Sequence, residues 1–185
     1  MAELWPAGWN RPGAQPTSAA PLILSAALPP ALQTAADAAR SRLYPQGAAR
    51  APAHLGLFRH LPGPMADEIR RTIATEMAYA EAPMMSVRPA RWKNGILFLP
   101  VETPALDRLR DDLAGRWHGL LAPGDIAPPA LHITLAGARA PKPRPADPTP
   151  AFAPGPWRCP GLLLWRVGGY GEACWRPLVA WRFRQ

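Results

Sequence analysis

Proline sets the grain of this chain: 26 of the 185 residues, about 14% against a usual ~5%. Together with 15 glycines they make 41 residues, short of the ~25–30% that marks low complexity throughout. The prolines must therefore be local, and apolar segments of regular length lie between them. Leu22-Ile23-Leu24-Ser25-Ala26-Ala27-Leu28 reads as a buried strand ended by Pro29-Pro30. Pro30 opens a helix, because its missing N–H is one no helix uses there. Leu32, Ala35, Ala36, Ala39 and Leu43 give that helix an apolar stripe, and Pro45-Gln46-Gly47 stops it.

The same reading continues down the chain. Ala53 to Phe58 reads as a second strand, and Pro62-Gly63-Pro64 as a turn. Ile69, Ile73 and Met77 at spacing four predict a helix over 65–79. Met84 to Val87 and Gly95 to Val101 read as strands, joined by a basic turn from Arg88 to Asn94. Thr103-Pro104 starts a helix whose face is Leu106, Leu109, Leu113 and Trp117. Leu131 to Leu135 is a strand again. Residues 141–156 hold seven prolines without periodicity and read as an exposed, extended loop. Two last strands, near 161–167 and 175–183, meet at a glycine-rich tip over 168–171. The order predicts an α+β fold with mixed or antiparallel sheets and helices outside. Its two halves look alike in outline: each has a helix, then a strand carrying a histidine. Residues 1–20, rich in Pro, Gly and Ala, read as a flexible arm able to dock by Trp5 and Trp9. Residues 21–185 read as a single domain.

Composition narrows the function. No apolar run approaches the ~18 residues of a membrane span. The opening MAELWPAGWNRPG has no basic segment leading into an apolar stretch, so the cytoplasm is the expected compartment. The net charge of +8 points to an anionic partner such as nucleic acid, although the arginine, alanine and proline excess also fits plain compositional bias. Cys159 and Cys174 are too few for a disulfide framework and read as reduced and structural. No metal-ligand spacing and no phosphate-binding glycine loop occurs, so neither metal nor cofactor is expected.

Of the four histidines, His54 and His132 stand in matching strand frames, 78 residues apart. Alternation puts His132 and Thr134 on one face, with Ile133 and Leu135 turned to the core; His54 shares a face with Gly56. Two imidazoles at one cleft suit phosphodiester chemistry. One takes a proton from the attacking hydroxyl or water while the other gives one to the leaving oxygen. A neighbouring threonine hydroxyl can hold a phosphate oxygen. His60 and His118 read as surface residues.

These segments resemble the two-histidine phosphoesterase superfamily, and in particular the bacterial RNA 2′,3′-cyclic phosphodiesterases, also called 2′-5′ RNA ligases. That family carries two H-x-[ST]-hydrophobic motifs roughly eighty residues apart on a bilobal, pseudo-twofold fold with a central cleft. His132-Ile133-Thr134-Leu135 fits in full, while His54-Leu55-Gly56-Leu57 has Gly56 where a hydroxyl residue is expected. The resemblance runs over about residues 22–184 and takes in the proline-started first helix and Trp175-Arg176-Pro177-Leu178. It implies His54 and His132 as acid and base in either order, Thr134 on the phosphate, and metal-free opening of 2′,3′-cyclic phosphates to 2′-phosphates. Joining or cleaving 2′-5′ linkages is the same chemistry with another nucleophile. The implied partners are RNA ends or cyclic nucleotides, handled by a monomer. Many close relatives also carry an arginine just after the second motif. Here Ala136-Gly137-Ala138 stands there and Arg139 is displaced. The alternative is a weakened relative that binds RNA ends or nucleotides without turnover. Arg88, Arg91 and Lys93, interleaved with Trp92, form the best basic and aromatic cluster for phosphates and a base. Tyr170 on the glycine-rich tip is a further candidate for reaching over a nucleotide.

Overall fold

The first apolar run becomes β1 (Leu22–Ala26), and the proline pair behind it opens α1 (Pro30–Leu43) with Pro30 in the first turn. The structure, a computed structural model, describes residues 4–9, 17–138, 156–168 and 175–184. Helix α1 buries Leu32, Gln33, Ala36, Ala39 and Arg40, which share one face at helical spacing. Pro45 does more than stop it: Pro45–Ala48 makes the one-turn α2. Next come β2 (Leu55–Leu61) and α3 (Ala66–Met77), which buries Ile69, Ile73 and Met77 as their spacing predicts. Strands β3 (Met84–Val87), β4 (Arg91–Lys93) and β5 (Ile96–Glu102) lead to α4 (Pro104–Arg116) and the one-turn α5 (Pro123–Ile126). Then follow β6 (His132–Ala136), β7 (Pro156–Arg158), β8 (Gly161–Val167) and β9 (Trp175–Arg182).

The strands form one curled sheet in the order β7-β3-β5-β6-β2-β1-β8-β9, with β4 paired to β5. All of these neighbours are antiparallel, so the fold is α+β. The order has a twofold pattern centred between β2 and β6. On one side β1 and β2 are neighbours joined through α1, and on the other β5 and β6 are neighbours joined through α4. The chain also crosses over in each half: β3 leaves β2 to pair with β5, and β8 leaves the β6 half to pair with β1. This is the bilobal, pseudo-twofold arrangement expected from the sequence.

One face of the sheet is the helix side. There Leu24, Leu55, Leu99, Ile133 and Leu164 pack with Leu32, Ile69, Ile73 and Leu113 of the helices, all fully buried. Trp117, just past α4, meets Phe58 of β2 edge-on at 5.0 Å. The other face carries the alternate residues. On the β1–β8 side it holds Leu163, Trp165 and Trp175, against which Leu4, Trp5 and Trp9 pack.

Two expectations change. The segment from Arg88 to Asn94 is not one turn, because Arg91–Lys93 pairs with β5 as a strand. The tight turn is only Asn94-Gly95, whose φ of 50° and 78° is the left-handed pair that a two-residue hairpin needs. At the end of the proline-rich stretch, Pro156 is also no loop residue: β7 pairs with β3 at Pro156↔Ser86. A proline is tolerated there because β7 is the edge strand. The rest of that loop, residues 141–155, lies outside the described residues, as do Tyr170, Arg139 and Cys174. No described helix is long and apolar enough to cross a membrane.

Candidate active site

Strands β2 and β6 meet at Leu55↔Ile133, two residues that both point into the core. Their neighbours therefore point to the opposite face together. This places His54 and Gly56 beside His132 and Thr134, at the pseudo-twofold. The four residues, with Arg59 and the rigid pair Pro128-Pro129, line a cavity of about 110 Å³. That is room for a phosphate group and a little water, not for a whole nucleotide.

Each histidine is held in the same way. His54 Nδ1 bonds the carbonyl of Pro52 at 2.8 Å, and His132 Nδ1 bonds the carbonyl of Ala130 at 2.8 Å. A carbonyl only accepts, so Nδ1 carries the proton in both rings. Nε2 is then the nitrogen left to exchange a proton, with a lone pair in the neutral ring and a proton in the imidazolium. The electrostatics differ. His54 lies against the Trp175 ring at a centroid distance of 4.5 Å. Its desolvation lowers the pKa to about 4, and the charges of Arg40 and His132 push the same way. His132 instead meets the edge of Phe98 at 5.3 Å, and Arg91 lies over that Phe98 ring at 5.4 Å.

The segment before His54 is held by a polar stripe on α1 that sequence reading missed. Asp37 accepts the Ala53 N–H at 2.6 Å, and Gln33 Nε2 donates to the Ala53 carbonyl at 2.9 Å. Arg40, only 4% exposed, donates to the carbonyls of Gly47, Ala51 and Thr134. It thus ties the first histidine's approach to the second histidine's strand. The i, i+4, i+7 spacing of Gln33, Asp37 and Arg40 is visible in sequence, but an alanine-rich helix gives no reason to turn its polar stripe inward.

Arg59 is the other residue missed. The register between β1 and β2 shifts twice, so that Ser25 faces Gly56, Leu24 faces Phe58 and Leu22 faces Leu61. These bulges bury Leu57 and Phe58 in succession and re-aim Arg59 to the cleft. Beneath it, buried Asp125 of α5 accepts the N–H groups of Arg59 (2.9 and 3.1 Å) and His60 (2.8 Å).

The expected basic cluster divides. Arg91 reaches the cleft wall over Phe98. Arg88 forms an exposed bidentate pair with Glu102 at 3.0 and 2.6 Å, and Lys93 is exposed on β4. Trp92 packs against the core, so of the two rings Phe98 is the one beside His132. His60 and His118 are exposed, as expected. Burial pushes the Cys159 thiol up to about 12, and its Sγ meets the carbonyls of Ala27 and Gly161, a structural role. Among the described residues no group of three His, Cys, Asp or Glu could hold a metal ion.

Solved structures share this architecture. TT0787 of Thermus thermophilus is 24% identical, with a TM-score of 0.64 over 89% of this chain and 98% of its own. Escherichia coli LigT complexed with 3′-AMP is 18% identical, with a TM-score of 0.63 over 90% and 99%. LigT complexed with NADP+ is 18% identical, with a TM-score of 0.61 over 91% and 100%. At these identities the likeness is one of fold. No curated protein matches the chain. The family model described as "2′-5′ RNA ligase superfamily" matches residues 28–171, a span containing both histidine strands. With most of its length matched and both histidines meeting at one cleft, the chain belongs to the 2′-5′ RNA ligase superfamily of two-histidine phosphoesterases.

Proposed function

We propose that this protein opens 2′,3′-cyclic phosphates at RNA ends or on nucleotides to 2′-phosphates, with His54 as general base and His132 as general acid. The observation that carries the reading is the convergence of two Nδ1-anchored imidazoles and Thr134 on one phosphate-sized cavity. Family membership supports phosphoesterase or ligase chemistry, and LigT, a protein of the same fold, has been crystallised with 3′-AMP, NADP+ and ATP. His54 suits the base because its low pKa keeps Nε2 unprotonated at neutral pH. It takes a proton from water as the water oxygen bonds to phosphorus. The P–O3′ bond breaks, and His132 delivers its Nε2 proton to O3′. The products are a 2′-phosphate and a free 3′-hydroxyl, with each proton accounted for. The Thr134 hydroxyl donates to a non-bridging oxygen. Phe98, with Arg91 over it, forms the wall beside His132 on which a nucleobase rests. RNA ends or cyclic nucleotides are thereby the partners, and the cytoplasm is the compartment we assign.

The test is an RNA ending in a 2′,3′-cyclic phosphate, incubated with wild type, His54→Ala and His132→Ala, with products identified by mass and phosphatase sensitivity. Wild type is expected to yield the 2′-phosphate and both variants to lose it. A second reading, binding of RNA ends without turnover, is favoured by Gly56, which lacks the hydroxyl that Thr134 has in the other half. Wild type that binds this RNA and leaves it intact establishes that reading.

A further inference from the structure

We propose that Arg59 is the second phosphate-holding group of the cleft, replacing the hydroxyl that Gly56 lacks. This inference rests on the phosphodiesterase reading above. The two halves are complementary. The second offers the Thr134 hydroxyl but has Gly137 five residues beyond its histidine. The first has Gly56 in place of a hydroxyl but carries Arg59 five residues beyond its histidine. Each half thus presents one group able to hold a phosphate oxygen, at a different place.

The local geometry favours Arg59 for this role. It lines the same cavity as both histidines and Thr134. Its backbone is pinned by Asp125, itself only 3% exposed, whereas its side chain is 58% exposed. The guanidinium rests on one bond, Nη2 to the Gly124 carbonyl at 3.1 Å, and Nε lies 4.0 Å from the Asp125 carboxylate. Among the described residues Nη1 has no partner. The anchor is fixed while the exposed fork, held by one bond, can turn from Gly124 to a ligand. Space is available as well: a Cβ at Gly56 would meet only His54 Cδ2, at 3.9 Å. Gly137 is tighter, since a Cβ there would lie 3.3 Å from the Tyr44 ring. A fork grips two non-bridging oxygens at once, so Arg59 suits the anionic cyclic diester and the 2′-monophosphate product alike.

The test combines turnover and binding in a mutant cycle. Wild type, Arg59→Met, Gly56→Thr and the double variant are assayed on adenosine 2′,3′-cyclic monophosphate. Binding of adenosine 2′-monophosphate is measured by calorimetry, and Arg59→Lys is added as a conservative variant. Arg59→Met is expected to lower kcat/KM and product affinity by about 10- to 100-fold, the loss of one charge-assisted contact. Gly56→Thr is expected to restore much of that loss in the double variant and to add little in wild type. Arg59→Lys is expected to fall between, with its thermal midpoint unchanged. If wild type turns over the substrate and Arg59→Met and Arg59→Lys match it in rate and product affinity, this inference fails while the phosphodiesterase reading stands. If wild type neither binds the 2′-monophosphate nor turns over the cyclic substrate, both fail.

Discussion

Ser25 and Phe98 hold equivalent places in the two halves of the sheet. Each lies across from the residue two beyond a histidine: Ser25 opposite Gly56, Phe98 opposite Thr134. Their surroundings are opposite. Ser25 is fully buried and accepts a hydrogen bond from Trp165 Nε1 at 2.9 Å. Trp5 packs edge-on against Trp165 at 4.8 Å, and Trp165 against Trp175 at 5.5 Å, which in turn covers His54. On the other side Phe98 is half-buried, Ile96 beside it is 37% exposed, and Arg91 lies over the ring. One half has filled its cleft face with its own aromatic rings. That packing stabilises the fold and strips water from His54. The other half leaves its face open beside His132, where the proposed function puts a nucleobase. A shared backbone plan thus carries two histidines in different settings, one packed against Trp175 and one beside Phe98.

Removing the imidazoles has the largest expected effect on this contrast. His54→Ala and His132→Ala should each lower kcat by about 10²- to 10⁴-fold, the usual worth of a positioned acid or base. Rapid-quench assays on the cyclic substrate measure it. A variant that keeps wild-type rate removes its histidine from the chemistry. In the proposed mechanism the two rings handle both protons, so chelators should leave the wild-type rate unchanged. Next comes Trp165→Ala, expected to cost about 3–5 kcal/mol of stability in denaturant titration, since it opens a cavity under Trp5 and Trp175. Phe98→Ala should cost far less stability and act mainly on KM, by roughly 10-fold or more for loss of base stacking. If Phe98→Ala destabilises the fold as much as Trp165→Ala, the two faces are alike and the contrast is wrong.

The half-buried His54 also predicts acid sensitivity. The folded pKa of His54 is about 4, below the ordinary 6.5. Its neutral form therefore favours folding above the unfolded pKa, and as pH falls toward 4 the unfolded chain takes the proton first. Stability should drop by on the order of 2–3 kcal/mol across that window. His54→Gln should flatten the drop, as urea titrations at a series of pH values will measure. A His54→Gln curve that parallels wild type assigns the drop to other groups.

The repeated elements were legible because each carries its own local signal. Ile69, Ile73 and Met77 mark a helix by spacing, and His132-Ile133-Thr134-Leu135 marks a half-buried strand by alternation. The residues that the sequence hid depend on distant partners. Strand β4 is a strand only because β5 lies beside it, and β7 only because β3 does. Arg59 reaches the cleft because two register shifts in β2 turn it there, and no local pattern announces a bulge. Gln33, Asp37 and Arg40 work as a set only because the 47–53 segment crosses their face. Trp92 and Phe98 illustrate the same limit: the sequence pointed to Trp92 as the ring beside the basic residues, and strand parity turned it to the core and Phe98 to the cleft.

The most direct measurement is the pH dependence of kcat/KM for an RNA ending in a 2′,3′-cyclic phosphate, in wild type and in His54→Ala. A neutral His54 acting as base predicts an acid limb near pH 4 that the His54→Ala variant lacks. An acid limb that persists unchanged in His54→Ala would contradict the division of roles between the two histidines.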